Sequence, residues 1–276
     1  MSFGMVLTET TRISGVGIHS GKENAVLITQ GTEDTGIRFL VKDRIIPASV
    51  DCVVDARRCT SLGVDDIRID MVEHLLSALF ALNVRNADIH IDGGEMPILD
   101  GGATEWVKAL KPLLRTSGNV IPTRTLHEPI ARKYNDTVYC AIPSDRMRLT
   151  CIIDFAHPLI GLQISDYLHG TTDYAKDIAP ARTFGFIDEV EALHAAGLGL
   201  GGDFGNTLVV YPDHYSTHEL LPSECCRHKL LDMIGDFSLG NAPINASITA
   251  YKPSHYGNTM FLKAMLEEII TNNPQK

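Results

Sequence analysis

The chain has 276 residues, 44% apolar and 21% charged, the values of a globular protein large enough to bury a core without disulfide staples. Its 24 Lys and Arg against 34 Asp and Glu leave a net charge of −10, which argues against a nucleic-acid binder with a generic basic face. Six cysteines without a C-x-x-C pair, no signal-peptide pattern and no run of about 18 apolar residues are the features expected of a cytoplasmic chain with reduced thiols and no transmembrane segment.

In chain order, the first predicted strands lie at 24–28, 37–41 and 48–54. Val72, Leu75, Leu76 and Leu79 then recur at i, i+3, i+4 and i+7. That spacing predicts a helix over 71–82, with Asp70 as its cap and Asn83 as its stop. Residues 87–92 alternate strictly and read as a half-buried strand, followed by a second helix over 103–114. The stretch 115–129 is polar, carries Gly118, Pro122 and Pro129, and reads as an interdomain linker. It divides the chain into an N-terminal α+β domain (1–120) and a C-terminal α+β domain (127–276).

The second half opens with strands at 137–142 and 148–155, read as a hairpin across a Pro-Ser-Asp turn. A helix over 187–196, a strand at 207–211, a helix over 224–237, a strand at 247–251 and a last helix over 258–270 follow. Short strands and helix pairs repeat in both halves, a pattern that suggests sheets covered by helices and a duplication.

The 224–237 helix carries the clearest chemistry. At about 100° per residue, Cys226, Leu230, Met233, Ile234 and Phe237 share one face. His228, Asp232, Gly235 and Asp236 share the other, with Lys229 at its margin. His228 and Asp232, at i and i+4, are placed either to ligate one divalent cation or to sit on a solvated face. In the 71–82 helix, His74 offers a further ligand. Glu73, turned about 100° away, would reach a water activated by such a metal without ligating it. Two His and one Asp leave a fourth position open, the catalytic pattern of zinc. The H-E-x-x-H signature is absent. His255, read as lying in the loop before the last helix, is a candidate general acid or oxyanion partner, with Asp236 holding it charged.

Eight segments occur in the same order along the chain. They are 17–21 (GIHSG), 72–79 (VEHLLSAL), 96–101 (MPILDG), 153–155 with 157–158, 181–186 (ARTFGF), 197–198 with 201–202, 227–232 with 235–236, and Lys252 with His255 and Asn258. Together they resemble the zinc-dependent UDP-3-O-acyl-N-acetylglucosamine deacetylases of lipid A biosynthesis, the LpxC family. The resemblance implies His74, His228 and Asp232 as ligands of one Zn²⁺ per chain, with Fe²⁺ as the alternative ion. It implies Glu73 as general base, His255 paired with Asp236 as the protonated partner of the leaving amine, and Thr183 as an oxyanion donor. Lys229 would bind the sugar–diphosphate region and Phe184 would pack on the hexosamine. Val190, Gly199, Gly202, Phe204 and Val209 fall where the family places its acyl-chain passage. Ser254 and Pro253 depart from the family pattern of Gly and Ser before the loop His.

The implied fold is α+β, two similar domains, each a β-sheet layered with a pair of helices. The helix layers face each other with the active site between the domains. The implied partner is a UDP-linked acylated amino sugar, the implied oligomeric state a monomer. On the residues alone, a metal-dependent amidohydrolase for a different N-acylated sugar, or a binding protein without catalysis, stays open.

Overall fold

Ala87, Ile89 and Ile91 alternate with polar residues and are buried, and the strand they form lies at the centre of a sheet rather than at its edge. The computed structural model describes residues 3–272. The N-terminal half runs β1 (Phe3–Leu7), β2 (Thr11–Val16), β3 (Glu23–Gln30), β4 (Ile37–Val41), β5 (Arg44–Pro47), β6 (Val53–Asp55), β7 (Ser61–Val64), β8 (Ile67–Ile69), α1 (Glu73–Ala81), β9 (Ala87–Ile91), α2 (Thr104–Leu110) and β10 (Leu114–Val120). The C-terminal half runs β11 (Arg124–Thr125), β12 (Ile130–Tyr134), β13 (Thr137–Pro143), β14 (Arg148–Phe155), β15 (Gly161–Leu168), α3 (Tyr174–Asp177), β16 (Thr183–Phe186), α4 (Ile187–Ala195), β17 (Thr207–Val210), α5 (Glu224–Ser238), β18 (Ile244–Tyr251) and α6 (His255–Asn272). The class is mixed α+β with several sheets and few helices. No helix among the described residues is long and apolar enough to cross a membrane.

The two main sheets share one strand order. The first is β2-β3-β9-β4-β5, with β9 antiparallel to β3 and parallel to β4. The second is β12-β13-β18-β14-β15, with β18 antiparallel to β13 and parallel to β14, and β11 pairing with the start of β18. In both, four strands are laid down first and the fifth enters between the middle two after a helix (α1 or α5). A second helix (α2 or α6) follows it. Buried cross-strand pairs, Ile28 with Ile89 and Leu149 with Ile248, fix the registers. The halves differ by insertion. The three-stranded sheet β6-β7-β8 precedes α1, and the parallel pair β16–β17, linked through α4, precedes α5.

Several expectations change. Strands β13 and β14 are not a hairpin, because β18 lies between them. Its residues Ile244, Ala246, Ile248 and Ala250 are buried, and its backbone finds partners on both edges. The predicted strand at 48–54 is broken by a 3₁₀ turn, Val50–Cys52, because the Ser49 hydroxyl accepts the Asp51 N–H. The stretch 115–129 is not an open linker. Most of it is β10, antiparallel to β1, and β11.

Helix boundaries also move. The first helix begins at Glu73, since Met71 has φ 65° and Asp70 is engaged by Arg68 rather than capping; Asn83, at φ 60°, ends it as expected. The second helix stops at Leu110, and Pro112 lies in a 3₁₀ turn after it. The last helix starts at His255, so that residue is not in a loop. Ser254 takes the cap position, its hydroxyl accepting the Gly257 N–H at 3.1 Å.

Helix α1 is buried on every side from Glu73 to Phe80. Its apolar residues join the core beneath the first sheet, and its other side packs on α5.

Candidate active site

Gly235 sets the crossing of α1 and α5. A Cβ built there would lie 2.1 Å from the carbonyl oxygen of Glu73, so only glycine lets the two backbones approach this closely. The contact presses the first turn of α1, Glu73 and His74, onto the α5 face that carries His228, Asp232 and Asp236.

His74 Nε2 lies 3.7 Å and His228 Nε2 3.5 Å from Asp232 Oδ1, and the ligand atoms of all three residues fall within 4.8 Å of one another. The Nδ1 of His74 is 3.1 Å from the carbonyl of Gly102, and that of His228 is 3.1 Å from the carbonyl of Ala181. A carbonyl only accepts, so each Nδ1 carries the proton and each Nε2 presents a lone pair to the shared space. Burial, reinforced by the neighbouring His228, pulls His74 down to about 3, and burial lowers His228 as well, so both rings are neutral. Asp232 Oδ1 is buried and has no hydrogen-bond partner among the described residues. Donor separations around a tetrahedral zinc with bonds near 2.05 Å are roughly 3.3 Å. Two neutral imidazoles aimed at an orphaned carboxylate oxygen fit such an ion.

A second cluster adjoins the first. Glu73 Oε2 accepts the Thr60 N–H at 3.1 Å, and Glu73 Oε1 lies 3.8 Å from His255 Nε2. Burial, with Asp232 and Asp236 nearby, pushes the Glu73 carboxyl up to about 8. His255 Nδ1 sits 3.0 Å from Asp236 Oδ2, which also accepts from Asn258 Nδ2 at 2.8 Å, while the Thr60 hydroxyl donates to Asp236 Oδ1. Burial opposes charge on His255, yet Asp236 and Glu73 outweigh it and raise the imidazole to about 9.

Around this centre, Lys229 Nζ pairs with Asp232 Oδ2 at 2.9 Å and stands 5.8 Å over the ring of Phe184. The Phe184 ring is 6.3 Å from that of His228. Thr183 opens β16 two residues after Ala181. It is half-buried, its N–H donates to the Gly101 carbonyl at 2.8 Å, and its hydroxyl has no partner among the described residues. Val190 is half-buried on α4, a helix with no buried residue, and Val209 is half-buried on β17. Gly202 and Phe204 lie exposed in the loop between them, and Gly199 has φ 71°. Val209 pairs with Gly185 in the separate β16–β17 sheet, and the loop before it donates the Leu200 and Gly201 N–H groups to the carbonyls of His19 and Ile18.

Residue patterns alone missed Thr60, which fixes both Glu73 and Asp236, and the two carbonyls that aim the imidazoles. No spacing signals Thr60, and a carbonyl direction is set by the tertiary path of the chain.

The sequence matches the family model described as UDP-3-O-acyl N-acetylglycosamine deacetylase over residues 5–267. It is 37% identical over 283 aligned residues to a UDP-3-O-acyl-N-acetylglucosamine deacetylase from Syntrophotalea carbinolica, covering 99% of this chain and 89% of that protein. Proteins of the same name from Trichormus variabilis and Thermodesulfovibrio yellowstonii are 38% and 35% identical, covering 90% and 97% of this chain and 93% of each relative.

Proposed function

The chain belongs to the UDP-3-O-acyl N-acetylglycosamine deacetylase family, and from that premise we propose that its reaction runs at the His74–His228–Asp232 cluster with one zinc ion per chain. The chain is an enzyme, a hydrolase. It cleaves the N-acetyl amide of UDP-3-O-acyl-N-acetylglucosamine and releases acetate and the free 2-amino sugar nucleotide. The step belongs to lipid A biosynthesis, in a cytoplasmic, monomeric enzyme. The single observation that carries the site is the buried Asp232 Oδ1, unpartnered and approached by two neutral Nε2 atoms.

His74, His228 and Asp232 would hold the zinc ion, which would supply Lewis acidity to lower the pKa of water and polarise the acetamide carbonyl. Glu73, a carboxylate whose proton affinity lies near neutral pH, removes the proton of the attacking water. The Thr183 hydroxyl donates to the carbonyl oxygen as negative charge develops on it. His255, kept protonated by Asp236, balances that charge and delivers a proton to the departing nitrogen. Thr60 and Asn258 hold Asp236, so the His255 ring cannot turn away from Glu73.

Lys229 faces the sugar–diphosphate region and Phe184 packs on the hexosamine. The 3-O-acyl chain runs along Val190, Gly199, Gly202, Phe204 and Val209, a reading supported by the exposure of Leu200 and Phe204, at 53% and 56%, in that loop. Each half, 1–120 and 127–276, builds on one main sheet layered with a helix pair, and the helix layers meet at α1 and α5. The shared strand order supports that reading. The decisive experiment is a deacetylation assay on UDP-3-O-acyl-N-acetylglucosamine with chelated protein and again after adding zinc. Activity must vanish and return; activity indifferent to chelation would remove the zinc proposal.

A further inference from the structure

We infer that Arg182 and Glu224 are positioning residues for this reaction: their buried ion pair fixes segment 181–183 against helix α5 and so sets the aim of His228 and Thr183. The inference rests on the zinc-deacetylase reading above. Both side chains are withdrawn from solvent, 4% and 0% exposed. Arg182 Nε donates to Glu224 Oε1 at 2.8 Å and Nη2 to Oε2 at 3.2 Å, a two-armed pairing that the Arg182 backbone N–H extends at 2.9 Å. The other guanidinium hydrogens reach Thr217 Oγ1, the Phe204 carbonyl and the His218 carbonyl, so all five N–H groups have acceptors. Glu224 Oε2 also accepts the Leu220 N–H at 2.7 Å.

The position of this pair gives it its consequence. The residue before Arg182 is Ala181, whose carbonyl holds His228 Nδ1; the residue after it is Thr183. Glu224 is the first residue of α5, with His228 four and Asp232 eight places later on neighbouring turns. The pair therefore joins the carbonyl that aims the imidazole to the helix that carries the imidazole. Stability alone is a poor reason for such an arrangement, because desolvation of two buried charges offsets much of their attraction. What the fork geometry supplies is a fixed direction, which a lysine ammonium cannot reproduce.

The test compares the full-length chain with Arg182→Lys and Glu224→Gln, each reconstituted with zinc and, separately, with cobalt(II). Variants are assayed where near-ultraviolet circular dichroism matches the unaltered chain. The expected result is a kcat lower by about tenfold or more with KM changed less than about twofold, and metal affinity, read by competition with a chromophoric chelator, lower by about 10–100-fold, the range for losing a partner that orients a ligand. The cobalt absorption bands shift with the altered His228 geometry. Variants that lose heat stability yet keep kcat, chelator competition and the cobalt spectrum would overturn the inference and leave the pair a structural tie. Metal binding and deacetylation by the unaltered chain test the zinc reading itself, whereas the ratio of variant to unaltered chain tests the pair.

Discussion

Glu73 at the start of α1 and His255 at the start of α6 face each other at 3.8 Å, each with a different partner behind it. Thr60 donates its N–H to Glu73, whose pKa burial raises to about 8; Asp236 stands behind His255. On the proposed reading, base and acid would thus stand on the two sides of the space where the amide nitrogen leaves. Glu73→Ala is expected to retain the metal, since Glu73 is outside the ligand set, and to lower kcat by about 10²–10⁴-fold, the range for a lost general base. Metal content by mass spectrometry and single-turnover rates check both halves. A variant turning over at the unaltered rate would remove Glu73 from the role.

Asp236→Asn separates charge from shape. Asparagine keeps a hydrogen-bonding group near His255 Nδ1 but removes the charge that, against the cost of burial, raises the imidazole to about 9. A raised pKa means that the protonated form is present below about pH 9 and is lost above it. The alkaline limb of kcat/KM should therefore lie near pH 9 in the unaltered chain and move toward neutral pH in the variant. An unmoved limb would assign it to another group.

Metal content and heat stability fall together when a ligand goes. His228→Ala removes one imidazole of three ligands and leaves Asp232 Oδ1 facing a gap. An ion held by the proposed ligands would join α1 to α5, so its binding energy would also stabilise the fold, by about 4 kcal/mol at a free concentration 1,000 times its Kd. The variant is expected to lose bound zinc, activity and the zinc-dependent part of its Tm. Stoichiometric zinc in purified His228→Ala would contradict the ligand set.

Gly235→Ala distinguishes two effects of opposite sign. Alanine for glycine inside an exposed helix stabilises by about 1 kcal/mol through propensity. Here the new Cβ would meet the Glu73 carbonyl at 2.1 Å, and no rotamer moves a Cβ. Overpacking of this kind costs about 1–3 kcal/mol. The expected outcome is a lower Tm and weaker zinc binding, because α1 must retreat from the face that holds Asp232. A stabilised variant would show that the helices separate freely.

How much of this could be read from residues alone follows from the range of each interaction. His228, Asp232, Gly235 and Asp236 fall on one helix face by local periodicity, and the structure keeps them there. His74, more than 150 positions earlier, offers a further ligand by its residue type, but no local periodicity brings it to that face, and only the resemblance to a family assigns it there. Pairings decided at long range were misread: β13 and β14 look like a hairpin until β18, nearly 100 residues on, enters between them. Met71 at φ 65° and the 3₁₀ turn after Ser49 are tertiary and side-chain decisions that a hydropathy pattern does not contain.

His169 supplies a stability prediction independent of catalysis. It is buried beside Phe80, with Nδ1 3.0 Å from the Tyr167 hydroxyl and Nε2 without a partner among the described residues. Burial, with the Arg85 charge nearby, lowers it to about 4. The unfolded chain holds this proton up to about pH 6.5, while the folded chain refuses it until about pH 4. Stability is therefore unaffected above pH 6.5 and falls as pH drops from there toward 4, by about 2 kcal/mol at pH 5. In metal-free protein, where His74 and His228 have no ion to lose, His169→Gln removes this titration while keeping an acceptor for Tyr167. The difference in urea-unfolding free energy between the unaltered chain and the variant should shift by that amount, in favour of the variant, between pH 8 and pH 5. A difference that stays constant across that range would mean that the protonated ring finds solvent or a partner in the folded state.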